Sequence, residues 1–337
     1  MAIKDVDKVV RRVLKSPTVK ESIVLIENGK GEELYFYGYH RNRYTPILMC
    51  SITKLFVSTC IYQLIEEHKL SWTDTIGDLL KGYDLLGLNV TKHVDYSESI
   101  TIDELMRQNS GLPNFFMAKR VGLMAKALVG DFSYTFDELL DWNRELDSTK
   151  VPGRGRSSYS DFNFDLLGKV IEVIDKKTLE EVFNERIYKP CGLHHTHLPK
   201  ASDDVPEIYL ARVPFERPKF ISSLGACGGG VSNAQEILTF LRCFIQGSLF
   251  KRNILREAKS SDSLGPLMFP KRYARGFMVI PVNLPFKEKR TLIGHIGATG
   301  AFAFYVPEKD AYIVGDTPNV QLPQMIVQFV VRMALAL

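Results

Sequence analysis

The sequence predicts an α+β protein whose sheet is built from both ends of the chain, with a mostly helical segment inserted between them. Two observations predict this. Strand-like apolar runs occur early, at residues 22–26 and 33–39, and return only late, at 273–282, 291–295, 301–306 and 311–315. The stretch between, roughly residues 70–247, reads as helices and loops. At 337 residues, 45% of them hydrophobic, the chain can bury a sizeable core as one large domain or two intimate ones.

The elements follow in order. Residues 5–14 put Val6, Val9, Val10, Val13 and Leu14 on one side of a helix. The first two strands flank Asn28-Gly29-Lys30-Gly31, a hairpin signal. A helix begins at Ser51, carries the apolar run Leu55, Phe56, Val57, Cys60, Ile61, Leu64 and Ile65, and ends near His68. Further helices are expected at 102–106, 136–146, 164–174, 179–187 and 234–245, and a last one at 323–337. The stripe Ile326, Phe329, Val330 and Met333 on that last helix reads as core packing. The expected division is a sheet-containing part, 1–70 with 270–337, and a helical part, 71–269, with an active site in the cleft between them.

Composition excludes several classes. Lysine and arginine number 43 against 39 acidic residues, a net charge of +4, too weak and too evenly spread for a nucleic-acid partner. The five cysteines (50, 60, 191, 227, 243) form no C-x-x-C pair, so neither a zinc site nor a disulfide framework is suggested. Unpaired cysteines fit a reducing compartment. Residues 1–20 lack the apolar core of a signal peptide, and the apolar segment 325–337 is too short to span a bilayer. A soluble, cytoplasmic protein without a membrane partner is expected. His194-His195-Thr196-His197 has no acidic or cysteine partner at a zinc spacing and reads as structural, so no metal is expected. Gly228-Gly229-Gly230 lacks the Lys-Ser/Thr ending of a phosphate loop and reads as backbone passing close to the cleft. Gly153-Arg154-Gly155-Arg156 reads as a turn.

Three short stretches carry chemistry. In Ser51-Ile52-Thr53-Lys54, positions i and i+3 share one helix face, so the two side chains can touch. A serine hydroxyl is a poor nucleophile until a neighbour takes its proton. Lysine does that only when neutral, and burial together with the positive helix start pushes its pKa down. The same helix start offers N–H groups to a developing oxyanion. An N-capping serine and a solvated lysine satisfy this spacing equally. Tyr159-Ser160-Asp161 follows a Pro-Gly turn and precedes a helix. Its phenol can relay a proton if cations lower its pKa; alternatively, Tyr159 packs and Asp161 caps the helix. His295-Ile296-Gly297 ends a strand, where glycine lets a substrate backbone approach and an exposed edge can pair with an extended acyl group. A bend with a surface histidine is the alternative.

In this order the three stretches resemble the signature of the serine beta-lactamase and penicillin-binding-protein superfamily. They are most similar to the class C-like branch of beta-lactamases, D-alanyl-D-alanine carboxypeptidases, D-aminopeptidases and serine esterases. Residues 64–71, Asn109-Ser110-Gly111-Leu112-Pro113, Pro152-Gly153 and residues 225–232 resemble that branch too, so the similarity runs from about Ser22 to Thr317. The resemblance implies a beta-lactamase-like fold and a cofactor-free serine hydrolase. Ser51 is then the acylated nucleophile. Lys54 and Tyr159 share its proton, with Tyr159 the relay to the leaving group, and which of them is the main base stays open. The N–H groups of Ser51 and Ala298 form the oxyanion hole, and Asp161, His295 and Gly297 bind substrate.

Two departures stand out. Asp161 occupies a place where many members have asparagine, and His295 one where beta-lactamases often have lysine. A histidine only partly protonated near neutral pH binds anionic substrates less well. The implied substrates are therefore small esters or amides first, D-amino-acid peptides next and beta-lactams third. Residues 114–130 are expected to shape one wall of the cleft. The rival expectation is a scaffold kept for binding or assembly, with catalysis weak or silent.

Overall fold

The computed structural model of the chain describes residues 2–265, 268, 270–285, 288–321 and 323–337. Eight strands form one antiparallel sheet: β1 (Ser22–Asn28), β2 (Glu33–Tyr39), β3 (Asp262–Ser263), β4 (Arg272–Tyr273), β5 (Met278–Val282), β6 (Arg290–Ile296), β7 (Phe302–Val306) and β8 (Ala311–Asp316). Their order is β2-β1-β8-β7-β6-β5-β4-β3. The pairing of β1 with β8, from Ile23↔Asp316 to Asn28↔Ala311, joins the two ends of the chain. This is the α+β arrangement, a sheet built from both ends of the chain, that the strand positions predict. β8 is buried at every position and β7 likewise, as strands covered on both faces must be.

One strand expected as continuous is broken. Residues 273–282 are a hairpin, with Tyr273 paired to Met278 and Gly276 at φ 91° in the turn. A Cβ at Gly276 would lie 2.4 Å from Ser58 Oγ, so glycine lets this turn lean on the central helix.

That helix, α2 (Thr53–Glu66), is buried on nearly every side from Thr53 to Tyr62, which is why its sequence is apolar all round rather than striped. Phe56 stacks on Phe240 with ring centres 3.7 Å apart. α2 packs on α3 (Phe162–Asp175) and on β6. α4 (Ala234–Gln246) lies against β8, β7 and β1, while α5 (Pro323–Ala336) packs on β6, β7 and the first helix, α1 (Ala2–Leu14). The stripe Ile326, Phe329, Val330 and Met333 is buried there, as expected. The expected helix at 179–187 is α-helical only over Leu179–Phe183 and continues as a π-turn over Asn184–Tyr188. The histidine-rich segment is held by the fold: Glu236 accepts the N–H groups of His194 and His195 at 2.8 and 2.9 Å and the Thr196 hydroxyl at 2.6 Å, and His197 bridges to Val231. No helix among the described residues is long and apolar enough to cross a membrane.

A two-stranded ladder, Pro46–Leu48 against Val231–Asn233, was not legible in the sequence, since three residues show no alternation. It sets the turn before α2 beside the glycine run, where the Met49 N–H donates to the Gly230 carbonyl at 2.8 Å.

Candidate active site

The chain enters α2 through a tight turn. Cys50 is buried at φ 46°, a left-handed conformation that costs a non-glycine residue about 1–2 kcal/mol. Residues Cys50–Ile52 form one 3₁₀ turn, and Ser51 sits in its middle, partly exposed. Contacts from the far end of the sequence hold this turn. Thr299 Oγ1 lies 3.4 Å from Cys50 Sγ and donates to the Leu48 carbonyl at 3.3 Å. Gly297 passes so close that a Cβ there would lie 2.7 Å from the Met49 carbonyl oxygen. At Gly230 a Cβ would meet Met49 Cε at 2.4 Å and Thr53 Oγ1 at 2.8 Å, so the glycine run brings its backbone against the start of α2.

Lys54 is fully buried beneath Ser51. Its Nζ donates to Ser51 Oγ at 3.1 Å, to Asp161 Oδ1 at 2.6 Å and to the Cys227 carbonyl, which uses all three ammonium donors. The rings of Tyr159 and Phe164 lie 5.5 and 5.6 Å from it. The Tyr159 hydroxyl donates to Ser51 Oγ at 3.1 Å. One hydroxyl, one amine and one phenol thus converge, although 108 positions separate Ser51 from Tyr159.

The protonation states differ from those expected. Burial lowers the Lys54 pKa, but the Asp161 carboxylate, with Tyr159 and Cys227, outweighs it and holds the group well above its ordinary value. Lys54 is therefore an ammonium at rest. For Tyr159 burial is the largest influence and raises the pKa beyond what Lys54 takes back, so the phenol is neutral.

Asp161 does not cap α3. Its Oδ1 faces Lys54, and its Oδ2 accepts from Asn114 Nδ2 at 3.3 Å. The loop carrying Tyr159 is clamped to residues 107–114. The Ser158 N–H donates to the Gln108 carbonyl and the Ser160 N–H to Gln108 Oε1, both at 2.8 Å, while Ser160 Oγ donates to the Pro113 carbonyl at 2.6 Å. Ser110 Oγ reaches Asn163 Oδ1 at 2.6 Å. This clamp gives the Asn109–Pro113 stretch its place in the site.

His295 is only 1% exposed. Its Nε2 meets the Tyr273 hydroxyl at 3.2 Å, and Nδ1 lies 3.0 Å from the Ile296 N–H. Burial, then the Lys54 charge, pushes its pKa down to about 3. The partial protonation expected of His295 gives way to a neutral ring, and the alternative of a surface histidine fails because the ring is internal, 6.2 Å from the Tyr159 ring. β6 outruns β5: their last pair is Met278↔Gly294, whereas β6 stays paired to β7 through Ile296↔Phe302. His295 and Ile296 therefore carry a strand edge beyond the end of β5. Ala298 follows Gly297 in the turn between β6 and β7.

Sequence reasoning gave no site role to Cys50, Thr299, Tyr273 or the Cys227 carbonyl, although Cys50 adjoins Ser51 and Thr299 follows Ala298. Asn114 entered only as the first residue of the expected cleft wall.

Comparison with known proteins follows the same lines. Protein flp of Staphylococcus aureus (strain MW2) is 25% identical over 190 residues, covering 52% of this chain and 34% of that protein. The teichoic acid D-alanine hydrolase of Staphylococcus aureus is 24% identical over 290 residues, covering 81% of this chain and 66% of that protein. The chain thus spans from about a third to just under two thirds of these relatives' lengths. The D-amino acid amidase of Ochrobactrum anthropi SV3, solved with D-phenylalanine, superposes with a TM-score of 0.80 at 17% identity, over 99% of this chain and 98% of that one. A family model described as Beta-lactamase matches residues 10–317, and the chain belongs to that family.

Proposed function

We propose that the protein is a serine hydrolase that works through an acyl-enzyme on small esters or amides. The observation that carries this reading is Ser51 Oγ held 3.1 Å from both Lys54 Nζ and the Tyr159 hydroxyl. Ser51 is the nucleophile, Lys54 handles its proton and Tyr159 passes one to the leaving group. The N–H groups of Ser51 and Ala298 receive the oxyanion, and the β6 edge at His295 and Ile296, opened by Gly297, lies along the acyl group. The cleft runs between the sheet part (1–70 and 270–337) and the helical part (71–269).

Electrostatics favours uncharged acyl groups. His295 is neutral, and the Lys54 charge is paired with Asp161. Esters and amides therefore rank above anionic beta-lactams. D-amino-acid derivatives come next, supported by the relatives named for D-alanine and D-amino acid substrates. Five free cysteines favour a reducing, cytoplasmic setting. The test is intact mass after incubation with a fluorophosphonate. A single adduct on wild type and none on Ser51→Ala is expected; no adduct, or equal labelling of both, refutes the assignment.

A silent scaffold is the second reading. It draws on the ammonium state of Lys54, which leaves Ser51 without a free base at rest. Turnover of p-nitrophenyl esters above the Ser51→Ala background excludes it.

A further inference from the structure

Ser51 touches two groups, and neither has room for its proton in the resting state. The Lys54 ammonium has no lone pair, and the Tyr159 phenol is neutral. Among the described residues, the anionic oxygen touching this set is Asp161 Oδ1, 2.6 Å from Lys54 Nζ. Both partners are withdrawn from water: the lysine side chain is 0% exposed and the aspartate side chain 10%. Across that 2.6 Å contact a proton can pass from nitrogen to oxygen without leaving the site.

We propose, building on the hydrolase reading, that Asp161 is the proton store of the acylation step. One proton moves from Lys54 Nζ to Asp161 Oδ1, giving an amine and a carboxylic acid. The amine takes the Ser51 proton as Oγ bonds to the acyl carbon, and the carbonyl electron pair moves onto oxygen. When the bond to the leaving group breaks, Tyr159 protonates that group. Lys54 then returns a proton to Tyr159, and Asp161 returns one to Lys54. The net transfer is the Ser51 proton to the leaving group, and the ion pair is restored. Asn114, which donates to Oδ2, orients the carboxylate for this exchange. The departure from asparagine at this position thus gives the lysine a partner that accepts a proton, which an amide cannot do.

Among the described residues, the other titratable groups around the pair are Tyr134, Tyr159, Tyr273, Cys50, Cys227, His295 and Asp165. Burial raises the three phenols and the two thiols, and His295 stays neutral. Asp165 on α3, pushed up to about 7 by burial, titrates near neutrality and serves as the control.

The experiment is the rate of Ser51 labelling by a fluorophosphonate and of p-nitrophenyl acetate hydrolysis, from about pH 5 to about pH 10, in wild type, Asp161→Asn, Asp161→Glu and Asp165→Asn. Wild type should be flat through neutrality. Asp161→Asn should gain an acid limb, its rate falling about tenfold per pH unit below the pKa of the unpaired lysine, and should be at least about tenfold slower than wild type near pH 6. Asp161→Glu should keep the flat profile, and Asp165→Asn should not acquire the limb. An Asp161→Asn profile as flat as that of wild type overturns the proposal alone. The same limb in Asp165→Asn also overturns it. No labelling of wild type overturns the hydrolase reading and this proposal with it.

Discussion

The buried imidazole of His295 makes the protein acid-sensitive by a definite amount. The folded state holds His295 neutral down to about pH 3, whereas an unfolded chain protonates it near its ordinary value of 6.5. Between those limits the unfolded state binds the extra proton, so stability is fully present above about 6.5 and drains away as the pH falls. Each unit below 6.5 removes about 1.4 kcal/mol, so lowering the pH from about 7 to about 5 costs about 2 kcal/mol from this one residue. At 1% exposure, solvent does little to screen it. Two carboxyls oppose the trend. Burial lifts Asp316 to about 6 and Asp165 to about 7, so both favour the folded state more as the pH falls. A single pH curve mixes these signs, but a comparison with His295→Gln does not, because both carboxyls remain. Glutamine keeps a polar partner for the Tyr273 hydroxyl. Urea unfolding at several pH values should show wild type losing about 2 kcal/mol more than His295→Gln between pH 7 and pH 5. Parallel curves refute the reasoning, as does an imidazole in the folded protein that titrates near 6.5 by NMR.

Other expectations follow from single contacts. Lys54→Ala and Tyr159→Phe should each lower ester turnover by at least about a hundredfold, as for general acid–base groups; near-normal rates in both would remove their roles. Gly297→Ala puts a Cβ 2.7 Å from the Met49 carbonyl oxygen and should displace the Ser51 turn, with kcat/KM falling at least about tenfold while the unfolding midpoint moves little. Phe56→Ala empties the site stacked on Phe240 and should cost about 3–5 kcal/mol in urea unfolding; a loss under about 1 kcal/mol would contradict the packing described.

The legible parts of the fold are those whose period or punctuation is long enough to read. β1 and β2 show because seven residues each flank a glycine-rich turn, and α2 because its fourteen residues are mostly apolar. The ladder at Pro46–Leu48 and the pair Arg272–Tyr273 are too short to carry a period, and the π-turn after Phe183 has no residue-level mark. The site divides differently. Contact between Ser51 and Lys54 follows from helical spacing, and the place of Tyr159 follows from the order of motifs rather than from local physics. Charge state follows from neither. Read alone, a lysine beneath a serine at a helix start should be neutral, since burial and the helix dipole both push that way. The outcome reverses because a carboxylate 107 positions away reaches its amine at 2.6 Å. The histidine reverses for a related reason: the end of a strand looks exposed in sequence, yet Tyr273, a residue with no signal of its own, closes over the imidazole. Both reversals arise where two distant segments meet inside a dry site. There a single partner outweighs every local preference, and chemistry at Ser51 depends on how Asp161 and Lys54 divide one proton.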